Sequence, residues 1–229
     1  MQLTQKLRIY PTLEQETVLW ALSEKCRLIY NFALAERIDA WEKSKEKPEK
    51  KREFITYIKQ QNNLPATKKK YPEYKWVYSK VLQGTLRKLD EAYKSFFALW
   101  KKGDKDARPP RYKGKTYFTT MCYNQSGFNI KGNTITFSHK HPSKVNLAFL
   151  ISDKRPLFSK VKQVDLFRDN EKRWFVSITH EVETPSYIDN DFFQAFDLGI
   201  ANIASGVNIP GEFVQFENKR PDKYWKPMI

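Results

Sequence analysis

Two cysteines, three histidines and eight glycines among 229 residues leave little room for several kinds of chemistry. Cys26 and Cys122 stand far apart and neither belongs to a CxxC pair, so a disulfide framework is not expected and both read as buried small apolar residues. His139, His141 and His180 lack the helical spacing of metal ligands; His139 and His141, two apart in SHKHPS, read as a solvent-facing loop. No zinc site is expected from these residues. The few glycines form neither a GxGxxG nor a Walker-type loop, and GxSxG and HExxH are also missing. No stretch approaches the ~18–20 apolar residues of a membrane span. The opening MQLTQKLRIYPT has no apolar core of the signal-peptide kind, so a cytoplasmic protein with no membrane partner is expected.

Acidic charge is scarce too. The chain carries 41 Lys and Arg against 26 Asp and Glu, a formal charge of +15. Residues 1–115 hold 27 of the basic and 14 of the acidic side chains, so nearly the whole excess lies in the first half. A basic excess confined to one region points to a polyanionic partner, because each neutralised phosphate releases condensed counterions. Aromatics make up 15% of the residues and supply surfaces on which bases stack. Nucleic acid is the partner that both features favour.

Alternation over residues 3–10, ended by Pro11, predicts a short strand. Thr12 and Gln15 form a capping-box pattern, and a helix should run to about Lys43 with Val18, Leu22, Cys26, Ile29, Tyr30, Ala33, Arg37 and Trp41 on one face. A weaker helix is expected over about 49–62, and a basic loop from Pro65 through the KKKYPEYKW run. Over 78–102 the stripe Val81, Leu82, Thr85, Leu86, Leu89, Ala92, Tyr93, Phe96, Phe97 and Trp100 predicts a long helix with that whole stripe in the core. Pro109 and Pro110 stop helical structure. Short β-rich runs follow at 117–123, 128–130, 134–137, 145–151, 161–167 and 174–182, the last two a hairpin turning at Asn170. Strands at this spacing suggest a small barrel that the N-terminal strand helps close. Residues 185–191 read as a linker, and a final unit opens at Phe192 with strand, turn and strand, then another strand over 212–216.

One carboxylate is placed where chemistry could sit. Asp197 ends the apolar run FQAFD just before Leu198 and Gly199. Nucleases of the RNase H/RuvC type draw their first metal-binding carboxylate from such a strand, where Mg²⁺ orients the attacking water and neutralises the leaving oxygen. At least two further carboxylates must converge on it. The other reading is that Asp197 merely opens a hairpin turn.

RIYPTLEQ (8–15), RLIYNFALAERIDAW (27–41), LQGTLRKLDEAYKSFFALWKKG (82–103), RPPRYKGK (108–115) and FDLGI (196–200) stand in the order of the TnpB/OrfB family of insertion-sequence proteins, which the chain resembles over nearly its full length. The resemblance implies an α+β multidomain protein related to the type V CRISPR effectors. A helical recognition domain (12–103) would be inserted in a small wedge β-barrel (1–11 and 104–185), followed by the first strands of an RNase H/RuvC-like domain (192–229). It implies a Mg²⁺-dependent, RNA-guided DNA endonuclease whose partners are a guide RNA derived from a transposon end and double-stranded target DNA. Base pairing then supplies most of the sequence specificity, and the protein reads a short adjacent motif. Residue by residue, Asp197 matches the first catalytic, Mg²⁺-binding carboxylate and Gln83 a motif-reading helix position, while Tyr123 and Asn124 fall near a second such position. Arg87, Lys88, Arg108, Arg111, Lys113 and Lys115 become backbone or guide contacts.

The family's other two carboxylates and its paired CxxC zinc site match nothing before residue 229, and Glu212, Glu217 and Asp222 occupy no matching motif. The expectation is therefore a truncated, nucleoid-associated binding protein that does not cleave alone. Two alternatives stay open: an active nuclease completed by a further C-terminal segment, and a plain DNA-binding protein or repressor using the 12–43 region.

Overall fold

The computed structural model describes residues 1–46, 48, 54–124, 126–151, 160–184, 186, 193–198 and 202–217. They fall into two units, Met1–Glu183 and Thr184–Ile229.

The first unit begins with strand β1 (Gln2–Ile9), whose inward side chains Gln5, Leu7 and Ile9 are buried. Pro11 ends it, and the capping box forms as the sequence predicts. Thr12 Oγ1 accepts from Gln15 N at 3.3 Å, and Thr12 N donates to Gln15 Oε1 at 3.0 Å. Gln15 Nε2 also donates to the carbonyl of Asn146 at 2.8 Å, which ties the helix entrance to the strand region beside it. Helix α1 (Leu13–Lys45) then runs unbroken for 33 residues. Its buried face follows the predicted one as far as Ala33 and Leu34, but Trp41 is exposed.

The helix expected over 49–62 is only the short α2 (Tyr57–Asn62), capped by Thr56; residues 49–53 lie outside the described residues. The expected basic loop is instead α3 (Leu64–Lys70) followed by a 3-10 turn over Pro72–Trp76. Proline is tolerated there because Pro65 and Pro72 each fall in a first helical turn, where the missing N–H has no intrahelical partner to lose. Helix α4 (Ser79–Lys101) matches its prediction in length. Its apolar stripe does not stay in the core: Val81, Leu82, Leu86 and Leu89 are buried, whereas Phe97 is 50% and Trp100 64% exposed. The buried half is the half alongside α1, where Arg37 pairs with Asp90 at 3.1 Å. Past that point cover thins: Tyr93 still packs against the core beneath Arg37, and from Phe97 on the stripe is exposed.

Two antiparallel sheets complete the unit. The larger has the order β1-β7-β6-β2, with β2 (Met121–Asn124), β6 (Val161–Arg168) and β7 (Trp174–Glu181). The smaller has the order β3-β4-β5, with β3 (Phe128–Lys131), β4 (Thr134–Phe137) and β5 (Leu147–Leu150). β1 does join the β6–β7 hairpin, as the sequence suggests, with Ile9 opposite Trp174. Among the described residues the strands of this unit form these two sheets. β2 starts at Met121 rather than at 117 because the backbone just before it is bonded to α1: Thr119 N donates to Ser23 Oγ at 2.7 Å, and Ser23 Oγ to Thr119 O at 3.2 Å. Gly127, at φ +85°, then turns the chain between β2 and β3. One apolar core serves both sheets and the helices, from Leu22, Leu82 and Leu89 through Ile135 and Phe149 to Leu166 and Val176.

The second unit holds β8 (Gln194–Asp197), β9 (Asn202–Asn208) and β10 (Phe213–Glu217) in an antiparallel sheet of order β10-β9-β8. This is the predicted series of strands. The expected linker over 185–191 lies outside the described residues except for residue 186, as do Gly199, Ile200 and residues 218–229. No helix among the described residues is long and apolar enough to cross a membrane.

Candidate nucleic-acid interface

Gln83, Arg87 and Lys88 lie on α4 beside its buried stripe; Gln83 and Arg87, four apart, share one side of the helix, and Gly84 and Lys88, also four apart, share the side next to it. The Gly84–Lys88 side borders β2 and β6. A Cβ on Gly84 would sit 3.7 Å from Cys122, ordinary contact distance, so the absence of a larger side chain lets helix and strand approach closely. Lys88 Nζ reaches across the seam to Asp165 Oδ1 on β6 at 3.7 Å. Arg87 is exposed, its nearest ionic partner being Glu91 at 3.7 Å. Gln83 is half-buried. Asn124, at the end of β2, is half-buried too, and its Oδ1 accepts from Cys122 Sγ at 3.0 Å. Burial and the neighbouring Asp165 push the Cys122 thiol up to about 12, so it stays protonated and inert at neutral pH.

The turn RPPRYKGK is strapped to α1. Asn31 Nδ2 donates to Lys113 O at 3.0 Å and its Oδ1 accepts from Lys113 N at 2.9 Å, imitating a strand pairing. Arg27 adds a second bond to Lys113 O at 2.9 Å while gripping Glu24 with both Nε and Nη2 at 2.6 Å. The side chain of Lys113 enters an aromatic cleft, its Nζ 4.3 Å from the Tyr30 ring centroid and 4.8 Å from that of Tyr117. Burial, helped by the like charge of Lys88, pulls Lys113 down to about 8. Arg108, Arg111 and Lys115 project from the same turn and are exposed. The Arg108 guanidinium is partly spent on the carbonyls of Lys105 and Ala107.

Tyr123 does not belong to this surface. It is 1% exposed and packs against Tyr78 and Phe137, because β2 alternation turns it to the core side of the sheet. Its ring supports the interface from below and cannot touch a base. His139 and His141 are half-buried rather than solvent-facing: His139 Nε2 lies 2.8 Å from Val145 O, and His141 packs edge-on against Trp76. Both cysteines are buried and free, as expected.

Asp197 ends β8, opposite Ser205, and is exposed. Among the described residues no three His, Cys, Asp or Glu side chains converge to hold a metal ion. Asn31 and Arg27, which hold the turn, were not singled out from sequence. Their position four apart on a helix is visible there, but their partner lies more than 80 residues away.

Residues 1–46 match the helix-turn-helix domain family HTH_OrfB_IS605. In this chain the matched segment is β1 followed by one uninterrupted helix. A Streptomyces pristinaespiralis protein assigned by inference as an RNA-guided DNA endonuclease is 30% identical over 181 residues, covering 77% of this chain. The chain spans 40% of that relative's length. Two solved structures share the fold, each at 11% identity. One is a Cas12f1–sgRNA–target DNA complex, at a TM-score of 0.54 over 100% of this chain and 68% of that one. The other is a CRISPR-Cas12f ternary complex, at 0.50 over 95% and 51%. The fold is thus a mixed α/β one, with antiparallel sheets, of the kind seen in Cas12f. With the matched N-terminal domain and the curated relative, the chain is a TnpB/OrfB-like protein.

Proposed function

We propose that residues 1–183 are the nucleic-acid-gripping part of a TnpB-type, RNA-guided DNA endonuclease, holding a transposon-end guide RNA and duplex target DNA. The carrying observation is that cations of α4 and of the 108–115 turn lie on elements held to the first unit's fold, the half-buried Lys88 and Lys113 close enough to influence one another and Arg87, Arg108, Arg111 and Lys115 exposed beside them. Rigid placement of Arg87, Lys88, Arg108, Arg111, Lys113 and Lys115 suits a phosphate backbone, which fixes register without reading sequence. Gln83 and Asn124, at the α4–β2 seam, are the side chains that read the adjacent motif. In this reading 12–103 is the recognition domain, 1–11 and 104–185 are the wedge barrel, and 192–229 opens a RuvC-like domain with Asp197 as its first carboxylate. The protein works at the nucleoid in the cytoplasm.

The test is to purify the chain from its host at moderate salt and sequence the RNA crosslinked to it. A single dominant RNA ending at a transposon boundary supports the reading; random RNA, or none, removes the guide. Replacing Arg111 and Lys115 with Ala should weaken binding to all sequences alike and lower the salt slope by roughly one for each lost phosphate contact.

A further inference from the structure

The β2–β6 ladder carries a polar quartet on the face that α4 partly covers. Asn124 stands opposite Gln163 and Cys122 opposite Asp165, so strand alternation sets all four on the side away from the buried Tyr123 and Val164. α4 borders this face through Gly84 and Lys88. Within the quartet the Gln163–Asp165 bond has a direction that chemistry fixes. Gln163 Nε2 donates to Asp165 Oδ2 at 2.7 Å, and a carboxylate can only accept, so Gln163 must turn its nitrogen inward. Cys122 Sγ donates to Asn124 Oδ1, so Asn124 turns its oxygen inward. The groups left over are the Asn124 amino donor and the Gln163 carbonyl acceptor. Among the described residues neither has a partner.

A donor beside an acceptor matches one base edge in the DNA major groove, that of adenine, which offers N7 as acceptor and N6–H₂ as donor. We infer that Gln163, together with Asn124, is a specificity-determining residue that reads an adenine in duplex DNA, and that Asp165 and Cys122 are positioning residues fixing the two amides. The inference rests on the proposed nucleic-acid reading. Duplex DNA is the favoured ligand because the A-form major groove of RNA is too narrow for side chains to enter.

The test selects randomised DNA duplexes with the full chain and whatever RNA copurifies with it. The wild type should enrich adenine at one position. Gln163→Ala and Asn124→Ala should each relax that position by about tenfold, with affinity for unselected duplex and the melting temperature unchanged. Asp165→Asn discriminates further. Its amide can donate to Gln163 Oε1 and turn the Gln163 nitrogen outward, so two donors face the groove and the preferred base should move to guanine, which presents N7 and O6 as acceptors. A merely structural role for Asp165 would not change which base is chosen. An adenine preference untouched by Gln163→Ala overturns the inference and leaves the nucleic-acid reading standing. Base preference found only in the copurified RNA also overturns it. A wild type that binds duplex with no base preference overturns the inference alone, whereas one with no affinity for duplex or RNA removes the reading beneath it.

Discussion

The sheet built from β1, β7, β6 and β2 and the sheet built from β10, β9 and β8 obey the same ladder rule and end in opposite states. In the first, Leu7, Ile9, Val164, Leu166, Val176 and Ile178 are buried beneath helices and a second sheet. In the second, Phe196, Ile203, Val207, Phe213, Val214 and Phe216 are all exposed, although every strand is antiparallel and in register with its neighbour through most of its length. Backbone pairing satisfies N–H and C=O groups but contributes little net stability; removing apolar area from water contributes most of it. The difference between the sheets is therefore the layer packed against each, not the strands themselves.

The sharpest way to test that contrast is a matched pair of truncations. Leu166→Ala on β6 should cost about 2–5 kcal/mol by urea denaturation, as expected for a fully buried leucine. Phe213→Ala on β10, with a large exposed ring, should stay within about 0.5 kcal/mol. Equal losses at both positions would mean that the second sheet is buried in solution. A pair of glycines gives a smaller effect of the same kind. Gly127→Ala meets a φ of +85° and places a Cβ 2.5 Å from the Tyr78 ring, which is held by Ser126 at 3.0 Å and stacked on Tyr123. Its cost should be about 1–3 kcal/mol, read from the thermal midpoint. Gly206→Ala brings a Cβ to 2.6 Å from the Phe196 ring, but that ring is exposed and can swing away, so the loss should stay below about 1 kcal/mol.

The first unit should also show a pH dependence that the second does not share. Lys113 titrates at about 8 in the fold, against an ordinary lysine value of 10.5. Between those values the unfolded chain binds more protons, so stability should rise with pH from about 8 to 10.5 as the buried ammonium loses its charge. Urea midpoints at both ends of that window check it, and Lys113→Met should flatten the rise. Phosphate binding should run the other way in the wild type. A bound anion favours the charged lysine, so affinity should fall as pH climbs through 8.

Local signals were legible in the sequence and non-local ones were not. The Thr12–Gln15 capping box, the length of α4, the β6–β7 hairpin and the β8 to β10 series all follow from spacing within a few residues, and all appear in the fold. The stretch around Pro65 and Pro72 does not show its helices in the sequence, because a proline that breaks a helix interior is also at home in a first turn, and only the surrounding chain decides which applies. The apolar stripe ending at Trp100 predicted burial, but periodicity says which residues share a face, not whether anything covers it. Tyr123 and Asn124 stood together as candidates, yet adjacent residues on a strand point to opposite faces, so one entered the core and the other stayed at the seam.

By itself the sequence determined the basic first half, the order of helices and strands, the blocks shared with TnpB/OrfB proteins and the candidate carboxylate at Asp197. Each of these depends on composition or on short-range spacing. Tertiary structure alone decided that Asn31 and Arg27 clamp Lys113 from 82 and 86 residues away, and that Gln163 and Asp165 stand opposite Asn124 and Cys122. Those juxtapositions depend on strand register and helix packing, which are fixed by what each apolar face buries and not by any neighbour along the chain.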